Sequence, residues 1–100
     1  MPRVRIRDSF RVDVRAQIAW LRRHRDASWV AGLRDGLREV RTLLMHYPAA
    51  GSVLDDRDGL LLRKLILRRL PFVVIYAHED KDVLWLLRLF HHRQDRSRVG

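Results

Sequence analysis

Arg88, His91, His92, Arg93 and Arg96 crowd one stretch near the C-terminus. An imidazole titrates near neutrality and can give or take a proton, and guanidinium groups beside it can orient a phosphodiester. His91 with Arg88, Arg93 and Arg96 therefore has the raw chemistry of a metal-free ribonuclease site. An Arg-rich strand end serves equally well as a docking surface. Metal binding is not expected, because adjacent histidines in an extended chain point to opposite sides. His78 is the one other nearby imidazole, and the chain has no cysteine. The chain also lacks a glycine-rich phosphate loop, and Ser9, Ser28, Ser52 and Ser97 have no nucleophile-elbow context, so neither a cofactor nor serine hydrolysis is expected.

The chain that must position these groups has 100 residues, room for one small core and a single domain over 1–100. Apolar residues make up 47% and charged residues 33%, which suits a folded domain rather than a disordered tail. Twenty-one Lys and Arg against twelve Asp and Glu give a net charge of +9, so an acidic partner is expected: nucleic acid, an anionic surface or an acidic protein. No apolar stretch follows the basic start, and the longest uncharged apolar run, Leu70 to Ala77, falls far short of the about 20 residues of a membrane span. Neither export by a plain signal nor membrane insertion is expected, and a cytoplasmic setting is compatible.

Val4 and Ile6 alternate with Arg3, Arg5 and Arg7, which predicts a short edge strand over 3–7 whose arginines discourage edge-to-edge pairing or contact phosphates. Asp8 or Ser9 is expected to cap a helix carrying Phe10, Val14, Ile18 and Leu21 on one stripe. Asp26 to Ser28 reads as a connector, with Ser28 as the next cap. Leu33, Leu37, Val40 and Leu44 then mark a second amphipathic helix over 29–46. The short connection makes the two an antiparallel hairpin. Gly32 and Gly36 sit four apart in the second helix, implying close approach either within the hairpin or by a partner helix.

Residues 48–59 read as an irregular polar loop. Leu60 to Leu67, Phe72 to His78 and Val83 to Phe90 then read as a three-stranded antiparallel meander. The class expected is α+β: an N-terminal edge strand, an antiparallel two-helix hairpin and the C-terminal meander on which it packs. Strict alternation places Val83, Trp85, Leu87 and Leu89 on one face of the last strand and Leu84, Leu86, Arg88 and Phe90 on the other. Both faces are largely apolar, yet two helices cover one, so a second chain is expected to cover the other. The alternative is that the loop and tail of the same chain wrap it.

The run Arg68-Arg69-Leu70-Pro71-Phe72-Val73-Val74-Ile75-Tyr76, followed by a short acidic turn and Val83-Leu84-Trp85-Leu86-Leu87-Arg88-Leu89-Phe90-His91-His92-Arg93-Gln94-Asp95, resembles the ParE/RelE superfamily of bacterial toxins. Tyr47-Pro48 with Gly51 also resembles the P-x-x-G that follows the helical hairpin in that superfamily. The resemblance implies a RelE/ParE-like fold and the toxin half of a type II toxin–antitoxin pair, neutralised by an antitoxin with an acidic, partly disordered segment.

Two activities divide the superfamily. ParE-like members resemble gyrase poisons that act by binding, without catalytic residues; RelE-like members cleave mRNA on the ribosome. The last tyrosine here is Tyr76, Val73 stands where RelE-like enzymes place an arginine, and His91, Arg93 and Asp95 reproduce an H-x-R-x-D ending. The resemblance thus implies the ParE-like branch, with DNA gyrase as target and Arg88, His91, Arg93, Gln94, Asp95, Arg96 and Arg98 as target contacts. Antitoxin contacts are expected at Gly32, Gly36, Leu84, Leu86 and Phe90. The alternative, a RelE-like ribonuclease, would draw on Arg63, Lys64, Arg88, His91 and Arg93.

Overall fold

A computed structural model of the chain describes residues 1–57, 60–79 and 82–94. Strand β1 (Arg3–Ile6) leads into helices α1 (Asp8–His24) and α2 (Ala27–His46). Strands β2 (Ser52–Arg57), β3 (Leu60–Ile66), β4 (Phe72–His78) and β5 (Val83–His91) follow, and a 3-10 turn spans His92–Gln94. The five strands form one sheet in the order β1-β5-β4-β3-β2. β1 runs parallel to β5 and the other pairings are antiparallel. The fold is α+β as expected, with β1 at an edge, but the sheet is mixed and the meander has four strands.

The additional strand lies inside the stretch read as a polar loop. Ser52–Arg57 pairs with β3 through a register shift between Val53 and Asp55. The bulge breaks the period-2 pattern by which strands are recognised, and the two acidic residues suit an edge facing water. β1 is parallel because the helices and meander together form the long crossover that brings β5 beside it.

Helix ends also differ in detail from expectation. Arg7 occupies the position before α1 and makes no side-chain cap. Asp8 is already helical and pairs with Arg11 at 3.0 Å, while Ser9 Oγ donates to the Leu87 carbonyl at 2.6 Å. Ser9 is thus spent on the sheet rather than on its own helix. Asp26, not Ser28, caps α2: its carboxylate accepts from the Ser28 amide at 3.0 Å and from the Ser28 hydroxyl.

The core lies between the helices and one sheet face. It joins Phe10 and Leu21 of α1, Leu33 and Leu44 of α2, Phe72, Val74 and Tyr76 of β4, and Leu84, Leu86 and Leu89 of β5. Strict alternation fails in β5, because Ile75 pairs with Arg88 and Tyr76 with Leu86, leaving Leu87 as an extra residue. The bulge returns Leu89 to the core beside Leu84 and Leu86, which are 0% and 3% exposed. Of these two expected antitoxin contacts, Leu84 is therefore enclosed beneath the helices, while Leu86 borders a groove between α1, α2 and β1.

The far face is also less open than the composition suggests. Val73, Ile75 and Ala77 point away from the core cluster, yet all are buried. β4 is central, with Val73 between Ile66 and Phe90, and Ile75 between Lys64 and Arg88. Longer side chains on both flanks surround Val73 and Ile75. Large apolar residues that remain exposed include Val12, Trp20 and Val53, and a set at Leu43, Tyr47 and Ile66, with Leu43 and Ile66 lining one groove and Leu43 and Tyr47 a neighbouring one.

The placement of Leu84 gives a direct test. Leu84→Ala should lower unfolding free energy by about 2–5 kcal/mol in chemical denaturation, whereas Val12→Ala on the exposed side of α1 should change it by less than about 0.5 kcal/mol.

Candidate functional site

Tyr47-Pro48-Ala49-Ala50-Gly51 turns the chain from α2 into β2 against a buried phenol. Tyr76 is fully buried, and its hydroxyl donates to the Pro48 carbonyl at 2.8 Å and accepts from the Gly51 amide at 2.9 Å. A Cβ on Gly51 would lie 2.7 Å from the Lys64 carbonyl oxygen and 2.8 Å from the Tyr76 ring, so only glycine fits. Arg63 closes the junction by donating from Nη1 to the Gly51 carbonyl at 2.8 Å and reaching the Ala49 carbonyl at 3.4 Å. Burial raises the Tyr76 pKa, with the Gly51 hydrogen bond and the Arg63 charge opposing.

A second clamp holds α1 to β5. β1 pairs with β5 only as far as Leu86, so the backbone edge beyond has lost its neighbouring strand. Ser9 takes the Leu87 carbonyl, and Asp13 Oδ2 accepts from the Leu89 amide at 2.9 Å. The same carboxylate receives Arg88 in bidentate fashion, Nε at 2.7 Å and Nη2 at 3.2 Å. This pair raises the Arg88 pKa. Two helical side chains thus satisfy a strand edge that would otherwise be left unpaired.

These bonds disperse the ribonuclease candidates. Arg63 is engaged with loop carbonyls and Arg88 with Asp13. Lys64, next to Arg63 on β3, projects to the opposite sheet face. His91 and Arg93 come together in a cleft of about 780 Å³ between α1 and the end of β5, with His92, Trp20, His24 and Arg25 as further walls, while Lys64 and Arg88 flank Ile75 on the far sheet face. Of the expected target contacts, His91 and Arg93 thus share a surface and Arg88 is held separately. The Gln94 side chain, Asp95, Arg96 and Arg98 lie outside the described residues.

Trp20 is 41% exposed in this cleft, its ring 4.7 Å from that of His24 and 6.3 Å from that of His91. Arg25 lies over Trp20 at 5.5 Å and Trp29 at 5.4 Å, within cation–π range. His91 also meets the Phe72 ring edge-on at 5.6 Å. Burial lowers the His91 pKa, and the charges of Arg93, His92 and Arg25 lower it further. Asp13, Gln17, Trp20 and His24, at steps of four, three and four, put one stripe of α1 beside the end of β5. That spacing was available in the sequence, but a stripe mixing carboxylate, amide, indole and imidazole does not stand out in a hydrophobicity pattern.

The opposite side of α1 borders a groove of about 880 Å³ shared with α2 and β1. Val4, Ile6, Phe10, Val14, Leu37 and Leu86 contribute apolar surface, and six arginines line it, Arg5, Arg11, Arg15, Arg34, Arg38 and Arg41, with no carboxylate among the described lining residues, while Arg11 and Arg38 pair with Asp8 and Asp35 at 3.0 and 3.1 Å. Gly32 and Gly36 lie elsewhere on α2. Cβ atoms there would meet Leu70 at 3.9 Å and Leu67 at 3.1 Å, so the glycines face the β3–β4 connection rather than α1, and both line a groove of about 650 Å³ between α2 and that connection. Phe90 remains half-buried on the far sheet face, under the Arg88 guanidinium at 5.1 Å. Arg5 and Arg7 of the basic ridge lie over Trp85 at 5.9 and 4.0 Å.

A strand, a helical hairpin and a four-stranded meander held by a P-x-x-G turn agree with the fold that the sequence resemblance implies. The family model described as "ParE toxin of type II toxin-antitoxin system, parDE" matches residues 4–96. The chain belongs to the ParE toxin family of type II toxin–antitoxin systems. No curated protein matches it. Among the described residues, no helix is long and apolar enough to cross a membrane.

Removing the Tyr76 hydroxyl strands a buried amide and carbonyl, so Tyr76→Phe should cost about 1–3 kcal/mol in denaturant unfolding. Gly51→Ala should be destabilising by a similar amount through overpacking. His91 should titrate below 6.5 when followed by its ring-proton NMR shift. The unfolded chain binds this proton more readily, so the contribution is full above 6.5 and is lost as pH falls through the folded value. His91→Gln should therefore flatten the acid limb of the stability curve.

Proposed function

We propose that this ParE-family toxin acts in the cytoplasm by binding DNA gyrase and arresting replication, without catalysis, and that a cognate antitoxin with an acidic, partly disordered segment neutralises it. The observation that carries the non-catalytic reading is the dispersal of the ribonuclease candidates: Arg63 holds the Gly51 carbonyl and Arg88 holds Asp13. Family membership supports the toxin role and implies the antitoxin. We assign the target contact to the C-terminal end of β5, at His91 and Arg93 with Arg88 nearby on the same strand; Gln94, Asp95, Arg96 and Arg98 remain proposed contacts by sequence alone.

For the antitoxin, the arginine-lined groove, which Leu86 also borders, is the main seat. Its apolar floor matches one face of an amphipathic segment and its guanidinium rim matches carboxylates on the other. Phe90, Gly32 and Gly36 stay among the proposed contacts and Leu86 borders the arginine-lined groove itself, whereas Leu84 is enclosed. A segment that orders on binding must gain enough from such contacts to offset its lost entropy, and an apolar floor with paired charges provides both.

Inducing the chain alone should produce DNA-damage signalling and linearised DNA held by gyrase before translation fails. Early loss of translation with codon-phased mRNA cuts would instead establish the ribonuclease reading. Replacing Arg34 and Arg38 together by Glu should weaken antitoxin binding by at least about tenfold in calorimetric titration, because like charges then face the acidic segment. An unchanged affinity would place the antitoxin elsewhere.

A further inference from the structure

We propose that the cleft between α1 and the end of β5 binds single-stranded nucleic acid, with one base stacked on Trp20 and the adjoining phosphate held between Arg25 and Arg93. The inference concerns a ligand of the toxin itself and stands or falls apart from the gyrase assignment.

The lining carries the argument. Among the described residues, nine border the cleft; three are imidazoles and two are arginines, and none is a carboxylate. A volume of about 780 Å³ lies within the range of small-ligand sites and admits a nucleotide unit. Trp20 presents a 41% exposed side chain, and His24 backs it at 4.7 Å with the rings tilted by 36°. The Arg25 guanidinium stands beside this platform, held near both Trp20 and Trp29. Exposed aromatic faces interleaved with cations are the general means of holding single strands, since every base offers a π-face and every linkage a negative charge.

The alternatives fit less well. A peptide carboxylate would use the cations but not the indole. A duplex keeps its bases stacked on one another and could offer only its backbone. Burial chiefly lowers the His91 pKa, and the neighbouring charges of Arg93, His92 and Arg25 add to it; an anion between those cations would oppose that part. Occupancy by phosphate should accordingly raise the His91 pKa.

The test uses the purified full chain followed by NMR. Its probes are a short oligothymidylate, an abasic oligomer of the same length, and inorganic phosphate. The oligothymidylate should shift the Trp20 indole and the His24 and His91 ring signals, and bind about tenfold or more tightly than the abasic oligomer. Trp20→Ala should remove most of that difference and Trp20→Phe restore much of it. Arg25→Ala and Arg93→Ala should each lower affinity and flatten its salt dependence. Equal affinity for the oligothymidylate and the abasic oligomer would overturn base stacking and leave an anion site only. Absence of shifts at these rings would overturn the site. The ligand comparison on the unaltered chain decides the matter even if a Trp20 variant fails to fold.

Discussion

A phenol hydroxyl sealed from water must find both a donor and an acceptor, and much of this fold is arranged around that requirement at Tyr76. Its partners are the Pro48 carbonyl and the Gly51 amide, from the one segment that links the helical hairpin to the meander. The bond therefore sets where α2 ends, and the missing Cβ of Gly51 sets how near β3 can pass. Arg63 adds a charged donor to the same turn. Its guanidinium is consumed in holding the chain together, which is why an arginine resembling a catalytic residue serves structure here.

Much of the fold was legible from pattern. Phe10, Val14, Ile18 and Leu21 announced the buried stripe of α1, and Val4 and Ile6 announced an edge strand. What escaped had local irregularity in common. β2 carries a bulge between Val53 and Asp55, and β5 carries another at Leu87. A single inserted residue reverses the face of everything beyond it, so a strict alternation put Leu89 on the wrong side. The caps escaped for a different reason: Ser9 had a distant partner in Leu87, and no local rule reveals a bond across 78 positions.

The candidate site was legible in one half. His91 and Arg93 were identifiable as a titratable and cationic pair on a strand end, and they do share a cleft. The other wall, Trp20, His24 and Arg25, comes from a helix far away in sequence, and nothing short of the packing of α1 on β5 brings it there. Asp13 was equally hidden, because a lone carboxylate on an amphipathic helix ordinarily faces solvent. Here the strand edge left by the short β1 gives it a backbone amide and a guanidinium to bind.

That clamp gives α1 a position between two surfaces of different chemistry. Phe10, Arg11, Val14 and Arg15 border the arginine-lined groove, and Ala16, Gln17, Trp20 and His24 border the cleft. The two sets lie on different sides of one rigid helix, joined by a shared backbone and by no shared side chain. Both surfaces are cationic, so each adds to the self-repulsion of a chain carrying +9. An acidic segment in the groove would relieve part of that repulsion without entering the cleft. Charge neutralisation and blockage are then separable effects of one partner: the first depends on how many carboxylates it brings and weakens with salt, while the second depends on whether its path continues past Asp13 to Trp20 and His91.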